Sequence, residues 1–274
     1  MTVRRFTAND DMARVEEALD AAASALEPFT PGAISSRMKA GDDPVTAADV
    51  AVNTAVREVL MRPGEGWLSE ETADHPGRLG CSRVWVVDPI DGTREFIQGI
   101  PEWCVSIGLV VDGSPVAGGV LNPAAGHRIV GSRDDGVALG GSPVGCTTAD
   151  RIEGALVLAS RSEVRRGEWE PFFSTPVSVR NMGSVAYKLA CVAAGLADAT
   201  WTLVPKHEWD VAAGAALVLA GGGRVSGRDG EPVVFNRPDP KLSGFVAAAP
   251  GLETQVRELL TGMLHSAGFA QLNP

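Results

Sequence analysis

The chain lacks any apolar run near the roughly 20 residues that cross a bilayer, which argues against a membrane span. Its opening, MTVRRFTANDDMARVEE, has neither the apolar middle nor the small-residue cleavage site of a secretory signal, so a cytoplasmic setting is expected. Cysteine is scarce: Cys81, Cys104, Cys146 and Cys191 stand far apart with no Cys-x-x-Cys pair, and they read as reduced core thiols rather than zinc ligands. Basic runs do not go beyond Arg4-Arg5 and Arg165-Arg166. With 24 basic against 34 acidic residues the formal charge is -10, which speaks against nucleic-acid binding. The four histidines, His75, His127, His207 and His265, show no metal-ligand spacing; His207, two residues before Trp209, reads as a surface residue, with a place in the active-site lining as the alternative. Also absent are the G-x-S-x-G of serine hydrolases, the G-x-x-x-x-G-K-[ST] of P-loop enzymes and the G-x-G-x-x-G of dinucleotide folds. Gly221-Gly222-Gly223 reads instead as a helix end and turn.

What remains is a chain of 274 residues, 45% hydrophobic, enough for one large domain or two closely packed halves. Val15, Ala18, Leu19, Ala22 and Leu26 share one face at helical spacing, so a helix is predicted over 10–26. The Gly- and Asp-rich loop KAGDDPVT follows. Thr46, with an acid at Asp49, opens a second helix to about Met61, ended by Pro63-Gly64. Val84 to Val87 reads as a short buried strand. Cys104 to Arg133 reads as an antiparallel meander turning at Asp112-Gly113. Beyond about Cys146 strands and helices alternate: ALVLAS, a helix over 185–196, ATWTLV, a helix over 211–220, FVAAA, and a closing helix over 252–264. The expectation is an N-terminal α+β subdomain (1–146) and a C-terminal α/β subdomain (147–274) in one unit, with a site at their junction.

Acids mark four places. In WVVDPIDGTREF a buried strand runs into Asp88 and Asp91 around a proline. Asp, Pro and Gly each favour turns, so a plain turn is one reading. The other is that the stiffened backbone aims both carboxylates at an oxygen-preferring cation such as Mg²⁺, with Gly92 and Thr93 offering N–H groups to a phosphate. Glu70-Glu71 reads alone as a solvated loop. Asp210 reads alone as a first-turn acid and Asp49 as a capping residue.

Taken together, DPVTAAD (43–49), SEE (69–71), DPIDGT (88–93) and WDVAAG (209–214) resemble the inositol monophosphatase superfamily of Mg²⁺-dependent, lithium-sensitive phosphatases. The resemblance spans nearly the whole chain and implies a layered α-β-α-β-α sandwich. By resemblance, Glu70, Asp88 and the Ile90 carbonyl hold one Mg²⁺, and Asp88, Asp91 and Asp210 hold a second. A third, weaker ion near Glu70 is implied on the same ground only. Asp49 and Thr93 look like the pair that orients and deprotonates the attacking water, and Gly92 and Thr93 like the phosphate cradle. Such a clamp serves phosphate ester hydrolysis by two-metal-activated water, and it explains how an acidic protein collects an anion.

Arg94-Glu95-Phe96 after DGT, and Gly183-Ser184 with Lys188, are similar to the branch that hydrolyses 3′-phosphoadenosine 5′-phosphate to AMP. That likeness makes Arg94, Ser184 and Lys188 candidate substrate contacts, the cations meeting a second phosphate. Arg94 covering a helix surface and Lys188 snorkelling to solvent are the structural alternatives. Val185-Ala186-Tyr187 and the short segment before His207 depart from the branch pattern. Inositol 1-phosphate and histidinol phosphate are therefore alternative substrates, and a metal-binding scaffold without turnover is the non-enzymatic alternative. The partner expected is a small phosphate ester, with no nucleic acid or membrane, and the family likeness implies a homodimer.

Overall fold

The computed structural model describes residues 8–38 and 44–266. Most of the loop read at 39–46 lies outside the described residues. Helix α1 (Ala8–Leu26) leads to a short ribbon of β1 (Ser36–Met38) and β2 (Pro44–Thr46), then α2 (Ala47–Leu60). A seven-stranded sheet follows, in simple order: β3 (Gly66–Ser69), β4 (Arg83–Asp91), β5 (Cys104–Val111), β6 (Ser114–Asn122), β7 (His127–Ser132), β8 (Gly136–Leu139) and β9 (Ser142–Val144). Helix α3 (Thr93–Gln98) joins β4 to β5. All pairs in this sheet are antiparallel except β3 with β4.

The second half contains β10 (Leu156–Ser160), α4 (Arg161–Arg165), β11 (Ser178–Met182), α5 (Val185–Ala193), β12 (Ala199–Thr202), β13 (Lys206–His207), α6 (Glu208–Ala220), β14 (Arg224–Gly227), β15 (Lys241–Leu242), β16 (Phe245–Ala248) and α7 (Glu253–Ser266). Five of these strands form a sheet in the order β11-β10-β12-β16-β14, while β13 and β15 make a separate two-stranded ribbon.

The layers follow from the alternation of strand side chains, which sends neighbours to opposite faces. Trp85 and Val87 of β4 pack with Val15, Leu19, Val52 and Val56 of α1 and α2. Val84 and Val86 face the other way, toward Leu189, Val211 and Leu217 of α5 and α6. The far face of the second sheet is closed by Trp169, Phe172, Trp201, Leu252, Val256 and Leu260. The result is α-β-α-β-α layering, as the resemblance implied.

Helix α6 is buried on nearly every side, and small residues let it approach both neighbours. A Cβ on Gly118 would stand 2.6 Å from the Ala213 carbonyl oxygen, and one on Gly108 would stand 2.8 Å from the Ala213 nitrogen. On its other side, a Cβ on Gly214 would lie 2.3 Å from Leu189 Cβ. The Ala- and Gly-rich run after Trp209 is therefore a packing requirement that sets how closely α6 approaches the sheet.

Three sequence expectations change. The short strand at 84–87 extends from Arg83 to Asp91, so the two acids lie within it. The helix read from Val211 begins at Glu208, which places Asp210 at its third position. The four cysteines are free, but only Cys104 and Cys191 are buried, Cys81 and Cys146 being half-buried.

Candidate active site

Residues three apart on a regular strand face opposite sides, so Asp88 and Asp91 should point apart. A bulge resolves this. Asp88 pairs with Ser106 and Asp91 with Cys104, so two residues, Pro89 and Ile90, oppose Val105 alone. The extra residue rephases the strand, and Pro89 sits where no ladder N–H is required. The Ile90 amide donates to Asp88 Oδ1 at 3.1 Å and holds the bulge. Gly92 then takes a left-handed conformation (φ 94°) and starts α3, with Thr93 as its first residue.

Asp210 arrives from the other half. At the third position of α6 its Oδ2 accepts the His207 amide at 3.0 Å. Oxygen atoms of Asp88, Asp91 and Asp210 all lie within 4.8 Å of one another. Glu70, just past β3, lines the same cavity of about 460 Å³, but its oxygens stand outside that close group.

Burial raises the Asp88 carboxyl well above the ordinary Asp value, and Glu70, Asp91 and Asp210 add repulsion. Asp210 is likewise raised well above it, by burial first and then by Asp91 and Glu70. Asp91 is raised by burial too, opposed by an amide from Ala186 at 2.5 Å and the Ser184 hydroxyl at 2.7 Å. Three carboxylates desolvated against one another form an all-oxygen donor set that fits a hard divalent cation. Glu70 and Ile90 line the same cavity.

Asp49 is 1% exposed at the third position of α2. Its Oδ2 accepts the Thr46 amide at 2.8 Å and the Thr46 hydroxyl at 2.6 Å, completing a capping box. Its Oδ1 lies 3.2 Å from Thr93 Oγ1, which is also 3.0 Å from the Ile90 carbonyl oxygen. The structure thus brings Asp49, Glu70, Asp88, Ile90, Asp91, Gly92, Thr93 and Asp210 to one place, fed by both halves.

The candidate substrate contacts divide. Arg94 is exposed and lines the cavity. Ser184 and Lys188 stand behind the wall. Ser184 adopts φ 57° and ψ 123°, a strained conformation outside glycine, and its hydroxyl both donates to Asp91 and accepts the Tyr187 amide as cap of α5. Lys188 is 2% exposed, its ammonium bonded to the Ser184 carbonyl at 2.7 Å. The Gly-Ser-Ser-x-Lys pattern puts lysine four residues after glycine, whereas here it is the fifth after Gly183. One residue turns a helical side chain by about 100°.

Pro205 and Lys206, which no sequence signal singles out, also line the cavity, together with Trp209 of the WDVAAG motif. His207, read as a surface residue, is half-buried there, its ring stacked on Trp209 at 4.2 Å and 5°. Its spacing of two from Trp209, across the junction of β13 and α6, was the available clue.

Comparisons with known proteins agree with this geometry. Residues 7–266 match the inositol monophosphatase family. The 3′-phosphoadenosine 5′-phosphate phosphatase of Mycobacterium leprae is 36% identical over 212 residues, covering 72% of this chain and 76% of that protein. The inositol-1-monophosphatase of the same organism is also 36% identical, over 230 residues, covering 77% and 75%. The solved inositol monophosphatase of Anabaena superposes with a TM-score of 0.76 at 25% identity, covering 93% of this chain and 96% of that one. A match over nearly the whole sequence, on a fold with these layers and this carboxylate cluster, makes the chain a member of the inositol monophosphatase family of metal-dependent phosphatases.

Proposed function

We propose that the protein is a Mg²⁺-dependent phosphate monoester hydrolase that converts 3′-phosphoadenosine 5′-phosphate to AMP and phosphate. The observation that carries the reaction is the meeting of Asp88, Asp91 and Asp210 within 4.8 Å, in a cavity that also holds Thr93 against Asp49. One Mg²⁺ on Glu70, Asp88 and the Ile90 carbonyl, and one on Asp88, Asp91 and Asp210, would supply positive charge for the phosphate oxygens and acidify water.

The rest of the chemistry belongs to the chain. A water hydrogen-bonded to Thr93 Oγ1 passes its proton to that oxygen as the Thr93 proton moves to Asp49 Oδ1, 3.2 Å away. The two bonds from Thr46 fix Asp49 in the orientation that receives it. Amides of Gly92 and Thr93, where α3 begins, face the phosphate, and Asp91 is fixed by α5 so that its outer oxygen faces the cluster.

The nucleotide reading rests on Arg94-Glu95-Phe96 after DGT, with Arg94 in the cavity wall, and on the relative named for that substrate. An equally similar relative is named for inositol 1-phosphate, so the substrate is decided by rates. Phosphate release should require Mg²⁺ and cease in excess chelator. Across 3′-phosphoadenosine 5′-phosphate, inositol 1-phosphate and histidinol phosphate, kcat/KM should be highest for the nucleotide. A higher value for inositol phosphate would reverse the substrate assignment, and full activity in chelator would end the metal-dependent one.

A further inference from the structure

Beside the carboxylates, the cavity wall carries two cations of unlike character. Arg94 on α3 is exposed, so water screens it. Lys206 on β13 keeps only 15% of its side chain exposed, and its ammonium lies 2.9 Å from Glu163 Oε1. Glu163, on α4, is 2% exposed and does not line the cavity. Its carboxylate also accepts the Thr202 hydroxyl at 2.6 Å and the Trp169 indole N–H at 3.1 Å. Burial alone would push Glu163 upward, yet Lys206 and these two donors hold its pKa below the ordinary Glu value. A buried, ionised, three-fold bonded carboxylate that never reaches the cavity has one consequence there: it fixes the Lys206 ammonium in the wall.

That ammonium sits awkwardly for the cations. Its charge acts on both Asp91 and Asp210, favouring their ionised forms but opposing a divalent ion placed between them. A positive charge set there weakens cation binding, and each further negative charge the ligand brings offsets that repulsion. Glu163 is the one ion-pair partner of Lys206 among the described residues, and an ammonium has three donors. Donors remain on an ammonium whose residue lines the cavity, in a poorly screened setting.

We infer that Lys206, positioned by Glu163, is a specificity-determining residue that binds a second anionic group of the substrate, so that bisphosphates are preferred to matched monophosphates. This rests on the phosphatase reading above and adds to it the residue that selects the substrate. Lys188, read with Arg94 as a cation for that role, is buried on α5 with its ammonium on the Ser184 carbonyl, while Lys206 comes from a segment with no motif.

The test compares adenosine 3′,5′-bisphosphate with adenosine 3′-monophosphate, which share the scissile ester and differ in the 5′ phosphate. Wild-type protein with saturating Mg²⁺ should favour the bisphosphate. In Lys206→Met the bisphosphate KM should rise about tenfold or more, with kcat preserved and the monophosphate KM within about threefold. Lys206→Arg should keep the preference. Glu163→Gln should reduce it partway, because the ammonium loses its charged anchor, and this arm decides the matter if Lys206→Met proves unfolded by circular dichroism. Equal losses on both substrates, or a fall in kcat with KM intact, would overturn the inference. So would a wild-type enzyme that hydrolyses both esters without preference, which would leave the phosphatase reading standing. Hydrolysis of neither ester would instead remove that reading, and this inference with it.

Discussion

Thr93 carries one hydroxyl proton between two acceptors, Asp49 Oδ1 at 3.2 Å and the Ile90 carbonyl at 3.0 Å. Thr93→Val removes that hydroxyl with little change of shape, so kcat should fall by about 10² to 10⁴, the range for a positioned acid-base group, with KM changed far less. Steady-state kinetics on the preferred ester checks this, and an unchanged kcat would exclude the Thr93-Asp49 relay. Asp49→Asn is the poorer probe, because Oδ2 also caps α2 and its loss costs stability of about 1 kcal/mol. The residues that meet in the cavity are legible because DPIDGT sets its acids and glycine turn in six letters, although the bulge that aligns them is visible only in the fold. Lys206 was illegible because what makes it a site residue is Glu163, which lies far back in the sequence and meets it only through the fold. Lys188 is the opposite case, since a segment one residue longer than the pattern keeps its letters while the helix turns the side chain away.

At the scale of elements, the site depends on how closely α6 approaches the seven-stranded sheet, because Asp210 projects from its first turn. Gly118→Ala places a methyl 2.6 Å from the Ala213 carbonyl oxygen, a backbone atom that cannot rotate away. The helix must shift, at a cost of about 1 to 3 kcal/mol, and Asp210 moves with it. Thermal denaturation should show the lost stability and kinetics a matching fall in kcat, although residue 118 touches neither cation nor substrate. A variant with lower melting temperature and full kcat would show that α6 tolerates the shift. The helices that frame the site were read well where caps announced them: α2 begins after Thr46 and ends before Met61, as its capping box and Pro63-Gly64 require. The start of α6 was missed because Lys206, His207 and Glu208 carry no apolar period, and backbone contacts such as the Glu208 amide on the Pro240 carbonyl fix it instead. Strand β4 was read too short because a Pro and two Asp look like an exit, whereas a bulge keeps them in the sheet.

Across the whole molecule, the clustered acids oppose folding when no cation is bound. Asp88 and Asp210 have folded pKa values well above the ordinary 3.8. Such a carboxyl favours the fold below its unfolded pKa, and that contribution disappears as pH rises through the folded value. Cation-free protein should therefore lose stability on going from acid toward neutral pH through that window, whatever other groups add. Asp88→Asn keeps an oxygen for the Ile90 amide and removes one charge, so in chelator at pH 7 its melting temperature should exceed that of the wild type, a gain of about 0.5 to 2 kcal/mol. Added Mg²⁺ should raise the wild type and leave the variant nearly unmoved, and no phosphate should be released. A lower melting temperature for Asp88→Asn in chelator would contradict the account. The acids thus differ in what they cost the fold. Asp49 and Asp210 cap the helices that carry them, and Asp91 anchors α5, so each has structural work apart from turnover. Asp88 is the most deeply buried of Asp88, Asp91 and Asp210, and its one structural bond, from the Ile90 amide, survives replacement by Asn. In a gene copy released from selection for activity, drift should therefore replace Asp88 first and leave the capping acids in place.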